Sequence, residues 1–438
     1  TSKTADDKIT GLVSYQSNNY EIAQTPGNFA AGVRQDQNDQ NTLAQIAWKR
    51  KISEDGDFQL SLAYLRSNQS VRNNGVFTPF QAFDPNISPD LADGRFPQDP
   101  ENAGAPYLPT TNLQVSQLRP AAHYVHRLGE RENLKFGADA DLIFSRQNVL
   151  IDDPGGGGSL PNGAARFAAN IERQGLIGGI FFSHTLPLGE SVTANYGVRA
   201  DYFDNGINVK TGQLSPHLNL SWEVAPTTVV RASYNRLFQA PPLELDITGQ
   251  TFTLPQRVNH YELSVETELA PAFTGKLAAV RKDYRDQVDI GLLIPNTTIP
   301  LFAPVNFGSA FYQGIELSLN SHNKVGWNGF LSATLSEARP LTPGVFATVV
   351  PQFNDHDQRL QAAFGLSHTW ENGLSAAADA LYASGYPQDA LSLYQGVGLT
   401  PYGINSERID RFIVNLNLQY MAPKSADGIG RASCRERV

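Results

Sequence analysis

The rhythm of the connections constrains this chain most. Short gaps between strand-like segments fall at residues 53–57 (SEDGD), 129–132 (GERE), 186–190 (LPLGE), 224–227 (VAPT), 269–273 (LAPAF) and 371–373 (ENG). Long gaps fall at 17–41, 69–112, 147–172, 239–258, 290–308, 339–357 and 385–409, with 204–213 a shorter member of that set. The two kinds never exchange places. Tight turns therefore gather at one end of the strands and long loops at the other, as in an up-and-down barrel; a propeller or sandwich has more even connections.

The segments between gaps alternate side by side. Phe58, Leu60, Leu62 and Tyr64 point one way, with Gln59, Ser61 and Ala63 opposite. Leu134, Phe136, Ala138, Ala140, Leu142 and Phe144 oppose Lys135, Gly137, Asp139, Asp141 and Ile143. Val192, Ala194, Tyr196, Val198, Ala200 and Tyr202 oppose Thr193, Asn195, Arg199 and Asp201; residues 374–382 and 412–420 repeat the scheme. Period two means strands, and roughly sixteen such segments, most near the ~9–11 residues that cross a bilayer at a tilt, can be counted. Charge in mid-strand is costly against hydrocarbon, so the polar face must look into a wet or protein-filled lumen.

Hydrophobic residues make up 41% of the 438, and the mean hydropathy is −0.31. A barrel permits that, because only every second side chain meets lipid. The most apolar run, GLIGGIFF at 175–182, is far too short for a membrane helix. By parity Phe58, Trp222, Trp370 and Tyr420 mark the short-turn end of the apolar face, and Tyr64, Phe144, Tyr202, Tyr234 and Tyr382 the other end. Two aromatic belts are what bilayer interfaces select. His368, sharing a face with Phe364, Leu366 and Trp370, is expected at headgroup level. The fold expected is all-β: a transmembrane antiparallel up-and-down β-barrel.

The net charge of −9 gives no reason to propose nucleic acid as a partner. The one cysteine, Cys434, lies in IGRASCRERV (429–438), which has no alternation and reads as a translated adapter sequence. Residues 1–428 are thus expected to be barrel and 429–438 a non-native read-through tail. The polar opening TSKTADDK carries no signal peptide, so the natural start is expected to lie upstream.

Residues 229–245 read VVRASYNRLFQAPPLEL: a strand ended by Pro241 and Pro242, which remove two backbone donors. Upstream lie YGVRADYFD (196–204) and LSPHLNLSWEVAPTT (214–228); downstream, VNHYELSVETEL (258–269) and NFGSAFYQGIELSLN (306–320). This ordered series resembles the barrel of TonB-dependent outer-membrane receptors, with Arg231, Tyr234, Phe238, Ala240, Pro241, Pro242 and Glu244 carrying the central motif. The resemblance implies a barrel of about twenty-two strands closed by an N-terminal plug. It also implies outer-membrane lipid around the barrel, and the TonB complex acting through a plug and TonB box absent from this sequence. A small-molecule or glycan ligand would sit at the extracellular loops, and the protein would take up a siderophore, vitamin or glycan in a Gram-negative outer membrane. The motif also resembles the subgroup with an N-terminal carboxypeptidase-regulatory-like domain. The alternatives are a passive or structural barrel and a soluble all-β binding protein or polysaccharide-acting enzyme.

No residue pattern in the sequence amounts to a catalytic constellation, so no enzyme, cofactor or metal is expected. GGGG at 155–158 lacks the Lys-Ser/Thr of a phosphate loop. His123 and His126 fall on opposite strand faces, a poor basis for a shared metal. Asp355, His356 and Asp357 read as a turn with solvated charge. Asp139, Asp141, Arg199, Asp201, Glu262, Glu266 and Glu316 are expected to line the lumen, and Arg231 to face it and contact a plug. The aromatic-rich loop at 69–112, with Phe77, Phe80, Phe83, Phe96 and Tyr107, reads equally as a trap for a siderophore, cobalamin or glycan and as a folded lid with its own small core.

Overall fold

The computed structural model describes residues 7–21, 35–73, 110–152, 166–241, 253–293, 302–321, 323, 326–341, 357–385, 410–421 and 431–436. Sixteen of its strands run as β1 (Asp7–Glu21), β2 (Gln35–Lys51), β3 (Gly56–Asn73), β4 (Thr110–Arg127), β5 (Asn133–Asp152), β6 (Arg166–Leu188), β7 (Val192–Asp204), β8 (Lys210–Ala225), β9 (Thr228–Gln239), β10 (Gln256–Ala270), β11 (Phe273–Leu293), β12 (Phe302–Ser321), β13 (Gly326–Pro340), β14 (Leu360–Thr369), β15 (Leu374–Ala383) and β16 (Arg411–Met421). A six-residue β17 (Arg431–Glu436) falls inside the segment expected to be foreign. Each strand pairs antiparallel with the next. Among the described residues there is no helix, and no ladder joins β17 to β1. The architecture is the up-and-down β-barrel wall expected from the sequence.

Register makes the two faces. Leu186, Ala194, Leu220, Ala232, Leu263, Ala279, Ile315, Leu335 and Leu360 stand in one cross-strand row from β6 to β14. One residue along each strand lies a second row: Thr185, Asn195, Asn219, Ser233, Glu262, Val280, Gly314 and Ser336. A slip of one residue would exchange the rows, so the alternation fixes the register. The apolar row is not covered by a second layer: Leu263, Ile315 and Leu335 are 58%, 53% and 60% exposed. Such a band of bare leucine is tolerable only where hydrocarbon bathes it.

The aromatic belts are found as expected, with members the sequence reading missed. Trp48 and Trp327 join the short-turn end, Trp48 donating its indole N–H to Asp7 at 3.1 Å. His368 packs between Trp327 and Trp370, ring centroids 4.7 and 4.5 Å away.

Strand length departs from expectation. Gaps placed at 17–41, 147–172 and 290–308 are partly strand: β1 and β2 run into the first with 15 and 17 residues, β5 and β6 into the second with 20 and 23, and β11 and β12 into the third with 21 and 20. Ladder pairing continues past the apolar band, where no hydrophobic alternation announces it. Asp357 also departs: far from solvated, it is 1% exposed. It accepts the Ala338 N–H at 2.6 Å and pairs with Arg359 at 2.9 Å, pinning the start of β14. Asp355, His356, residues 155–158 and the aromatics at 77–107 lie outside the described residues.

Replacing Val198, in mid-β7 on the apolar face, by Arg is expected to destabilise the bilayer-folded protein by about 2–4 kcal/mol. Asn219→Arg, on the polar face, is expected to cost well under half as much, both measured by urea unfolding of the whole protein from vesicles.

Candidate functional site in the barrel lumen

The polar face gathers the charges the sequence assigned to it. Arg199 on β7 reaches across β6 to Asp139 on β5, its two terminal nitrogens donating to the two carboxylate oxygens at 2.6 and 2.7 Å. Its Nε donates to Asp201 at 2.5 Å. A glycine makes this span possible. Gly179 stands between Asp139 and Asp201 in the cross-strand row, and a Cβ there would lie 2.5 Å from an Arg199 terminal nitrogen. The guanidinium lies where a side chain would otherwise be.

From Asp201 the network continues to the tip of β9. The Ser215 hydroxyl donates to Asp201 at 3.1 Å, and the Gln213 amide donates to Ser215 and to the Leu237 carbonyl, both at 3.0 Å. That last bond closes a gap in the sheet, because β8 and β9 pair only up to His217 and Asn235. Asp141 is held separately by Arg119, at 2.8 Å.

Farther round the wall, Arg231 pairs with Glu266 at 2.7 Å and Lys276 with Glu262 at 3.5 Å. Glu316 is exposed and makes no ion pair among the described residues. The expected lumen residues thus fall into four separate groups with Glu316 apart from them, and no two of their carboxylates bond to each other. Exposed ion pairs of this kind each contribute at most about 1 kcal/mol. Their main effect is to keep a wall of alternating charge wet and rigid.

The central motif does something the sequence did not disclose. Phe238 and Ala240 pack against Val115, Ile143, Phe203 and Val209, a small apolar cluster at the long-loop end. Phe203 is fully buried there. Ile143, Phe203 and Val115 lie on the lumen parity, whereas Phe238 shares the face of Tyr234. The tip of β9 therefore passes inside the β7–β8 hairpin. Pro241 is buried at the end of this tip; Pro242 and Glu244 lie outside the described residues.

Two amide side chains sequence reasoning missed hold neighbouring segments. Asn306 accepts the Leu254 N–H at 2.6 Å and donates to the Leu254 and Asp286 carbonyls at 2.9 and 2.8 Å, tying the chain before β10 to β11 and β12. Asn205 accepts the backbone N–H groups of Ile207, Asn208 and Val209, all at 2.9–3.0 Å, and so folds the β7–β8 turn. Asn306 opens one of the quoted segments, and Asn205 follows "YFD"; a lone Asn at a strand end was the available signal.

His123 and His126 stand opposite Gly137 and Leu134, on different faces as parity requires. No group of three His, Cys, Asp or Glu side chains suited to a metal occurs among the described residues.

A family model described as TonB dependent receptor-like, beta-barrel, matches residues 2–426. No curated protein matches. Among solved structures, the siderophore receptor PiuA from Acinetobacter baumannii is 10% identical, with a TM-score of 0.63 over 97% of this chain and 69% of that one. The ferric-catecholate import receptor Fiu from E. coli K12 is 12% identical, with a TM-score of 0.63 over 96% and 66%. The ferric yersiniabactin uptake receptor FyuA from Yersinia pestis is 12% identical, with a TM-score of 0.60 over 89% and 55%. The chain thus spans between about half and about two thirds of the length of these neighbours.

Gly179→Val is expected to displace the Arg199 guanidinium and cost about 1–3 kcal/mol through overpacking. Arg199→Ala is expected to cost a similar ~1–3 kcal/mol by leaving Asp201, 9% exposed, without its charge partner. Asp139→Asn, at an exposed partner, is expected to cost about 1 kcal/mol or less. Denaturant midpoints of the whole protein give all three, and equal losses for Arg199→Ala and Asp139→Asn would contradict the geometry.

Proposed function

The chain belongs to the TonB-dependent receptor family, in its β-barrel portion, and from that premise we propose that the whole protein performs energy-coupled uptake of a scarce nutrient across a Gram-negative outer membrane. The observation that carries this reading is the family match over residues 2–426, borne by a wall whose apolar face is bare and whose polar face is lined by compensated charge. Such a lumen suits a hydrated solute or a removable plug, and breaks no bond.

In this reading Arg231, Glu266 and Glu316 present the wall's polar contacts to a plug. The loop tips beyond β3, β5, β11, β13 and β15 capture solute. TonB acts through the plug. Of the siderophore, vitamin and glycan classes, the neighbours named above support placing an iron-chelating siderophore first. Residues 429–438, which lack the alternation of the preceding strands, are read as foreign to the barrel.

The test is uptake of radioiron-labelled siderophores by cells carrying the whole gene in a receptor-deficient background. Uptake is expected to fall about tenfold or more, toward background, when tonB is deleted or a protonophore collapses the inner-membrane gradient, since an energised step otherwise limits entry. Uptake that continues unchanged under both treatments would identify a passive pore. Labelled cobalamin and oligosaccharides run in parallel decide among the nutrient classes.

A further inference from the structure

The sheet divides above one row. β7 and β8 stay paired up to Asp204 and Lys210, and β9 and β10 up to Gln239 and Gln256, but β8 and β9 part above His217 and Asn235. The backbone supplies a reason. The Glu223 N–H goes to Ser191 on β7 at 2.8 Å, so by alternation the even-numbered residues of β8 turn their backbone groups to β9. The next of these above Leu218 is Pro216, which has no N–H to give. Continued in the same register, the ladder would set Pro216 beside Arg236, Ser215 beside Leu237, Leu214 beside Phe238 and Gln213 beside Gln239. Phe238 would then stand on the outer face next to Leu214, which is 64% exposed.

The freed tip of β9 instead lies inside the β7–β8 hairpin, where Phe238 and Ala240 pack on Val115, Ile143, Phe203 and Val209. Few bonds hold it there. The Gln213 amide donates to the Leu237 carbonyl at 3.0 Å, and Arg257 on the next strand donates to Thr211 at 3.4 Å. Tucked in, the tip gains the burial of one aromatic ring and forgoes a short run of ladder bonds. In register with β8 it gains that ladder, short of one donor at Pro216, and forgoes the burial. These are small, opposed terms over a few residues, so neither placement outweighs the other by much. We propose that residues 236–240 form a strap that alternates between the two placements. Tucked, the strap covers an apolar patch on the inner wall, and Phe203 beneath it is fully buried. In register with β8, it leaves that patch open to an apolar or aromatic group of an entering solute. Such a group meets the patch in one placement and not in the other, and that difference is what shifts a two-state population. Phe238 is thus an autoinhibitory side chain.

The strap stands apart from the uptake reading, and its test needs no transport. The whole receptor is used in the membrane fraction, with every other cysteine replaced by serine. Val115→Cys, within β4 beneath the strap, is expected to react slowly with a maleimide. Pro216→Ala supplies the missing ladder donor and Gln213→Ala removes the amide tie, while both keep Phe238. Each is expected to speed the reaction about fivefold by shifting the strap toward β8. Ser264→Cys, 3% exposed on the inner face of β10, is expected to react at one rate in all three backgrounds. Leu214→Cys with Phe238→Cys is expected to form a disulfide under mild oxidation, since in register the two Cα atoms lie about 5.5 Å apart. Leu214→Cys with Leu237→Cys, whose side chains take opposite faces, is expected to stay reduced. A Val115→Cys rate within about twofold of the original in both backgrounds would overturn the strap. So would the failure of positions 214 and 238 to bridge.

Discussion

Hydrocarbon offers a peptide group no hydrogen-bond partner, and the arrangement of this wall follows from that. Every N–H and C=O at bilayer depth must be met by the neighbouring strand, so the ladder has to pass from strand to strand without a break. The observed pairing from β1 to β16 does so in sequence order. Once the ladder is fixed, side chains can only alternate, and each strand has one face for lipid and one for the lumen.

Within that constraint the two faces solve different problems. From β8 to β12 the lipid-face row alternates large and small, Leu220, Ala232, Leu263, Ala279, Ile315, before Leu335 and Leu360 end it with large side chains. The lumen face distributes charge so that carboxylates meet arginine or lysine, as Asp139 and Asp201 meet Arg199. Gly179 is the hinge between these aims: an absent side chain on β6 lets a β7 arginine reach a β5 aspartate. The charged wall is thereby cross-linked over three strands rather than two.

The family motif marks a point where the simple wall fails. Above His217 and Asn235 the ladder between β8 and β9 stops, and the motif's Phe238 and Ala240 fill the breach with an apolar cluster while Gln213 bridges it. A break in the ladder is affordable there because it lies beyond the apolar band, where water or headgroups can satisfy the freed groups.

The sequence by itself determined the strand order, the face each residue takes and the spacing of the aromatics along the apolar face, because period-two alternation and turn length are local properties. Parity alone placed Asp139, Asp141, Arg199 and Asp201 on one face, but not which of them touch. Tertiary structure decided that Arg199 spans Gly179, that Ile143 and Phe203 bury themselves on an otherwise polar face, and that Asp357 is a buried clamp. It also decided that strands outrun their apolar segments and that Arg257 and Arg285 meet head-on. Each of these depends on which residue of one strand stands opposite which residue of the next. Register is set by hydrogen bonds between segments far apart in the chain, and no single segment contains it.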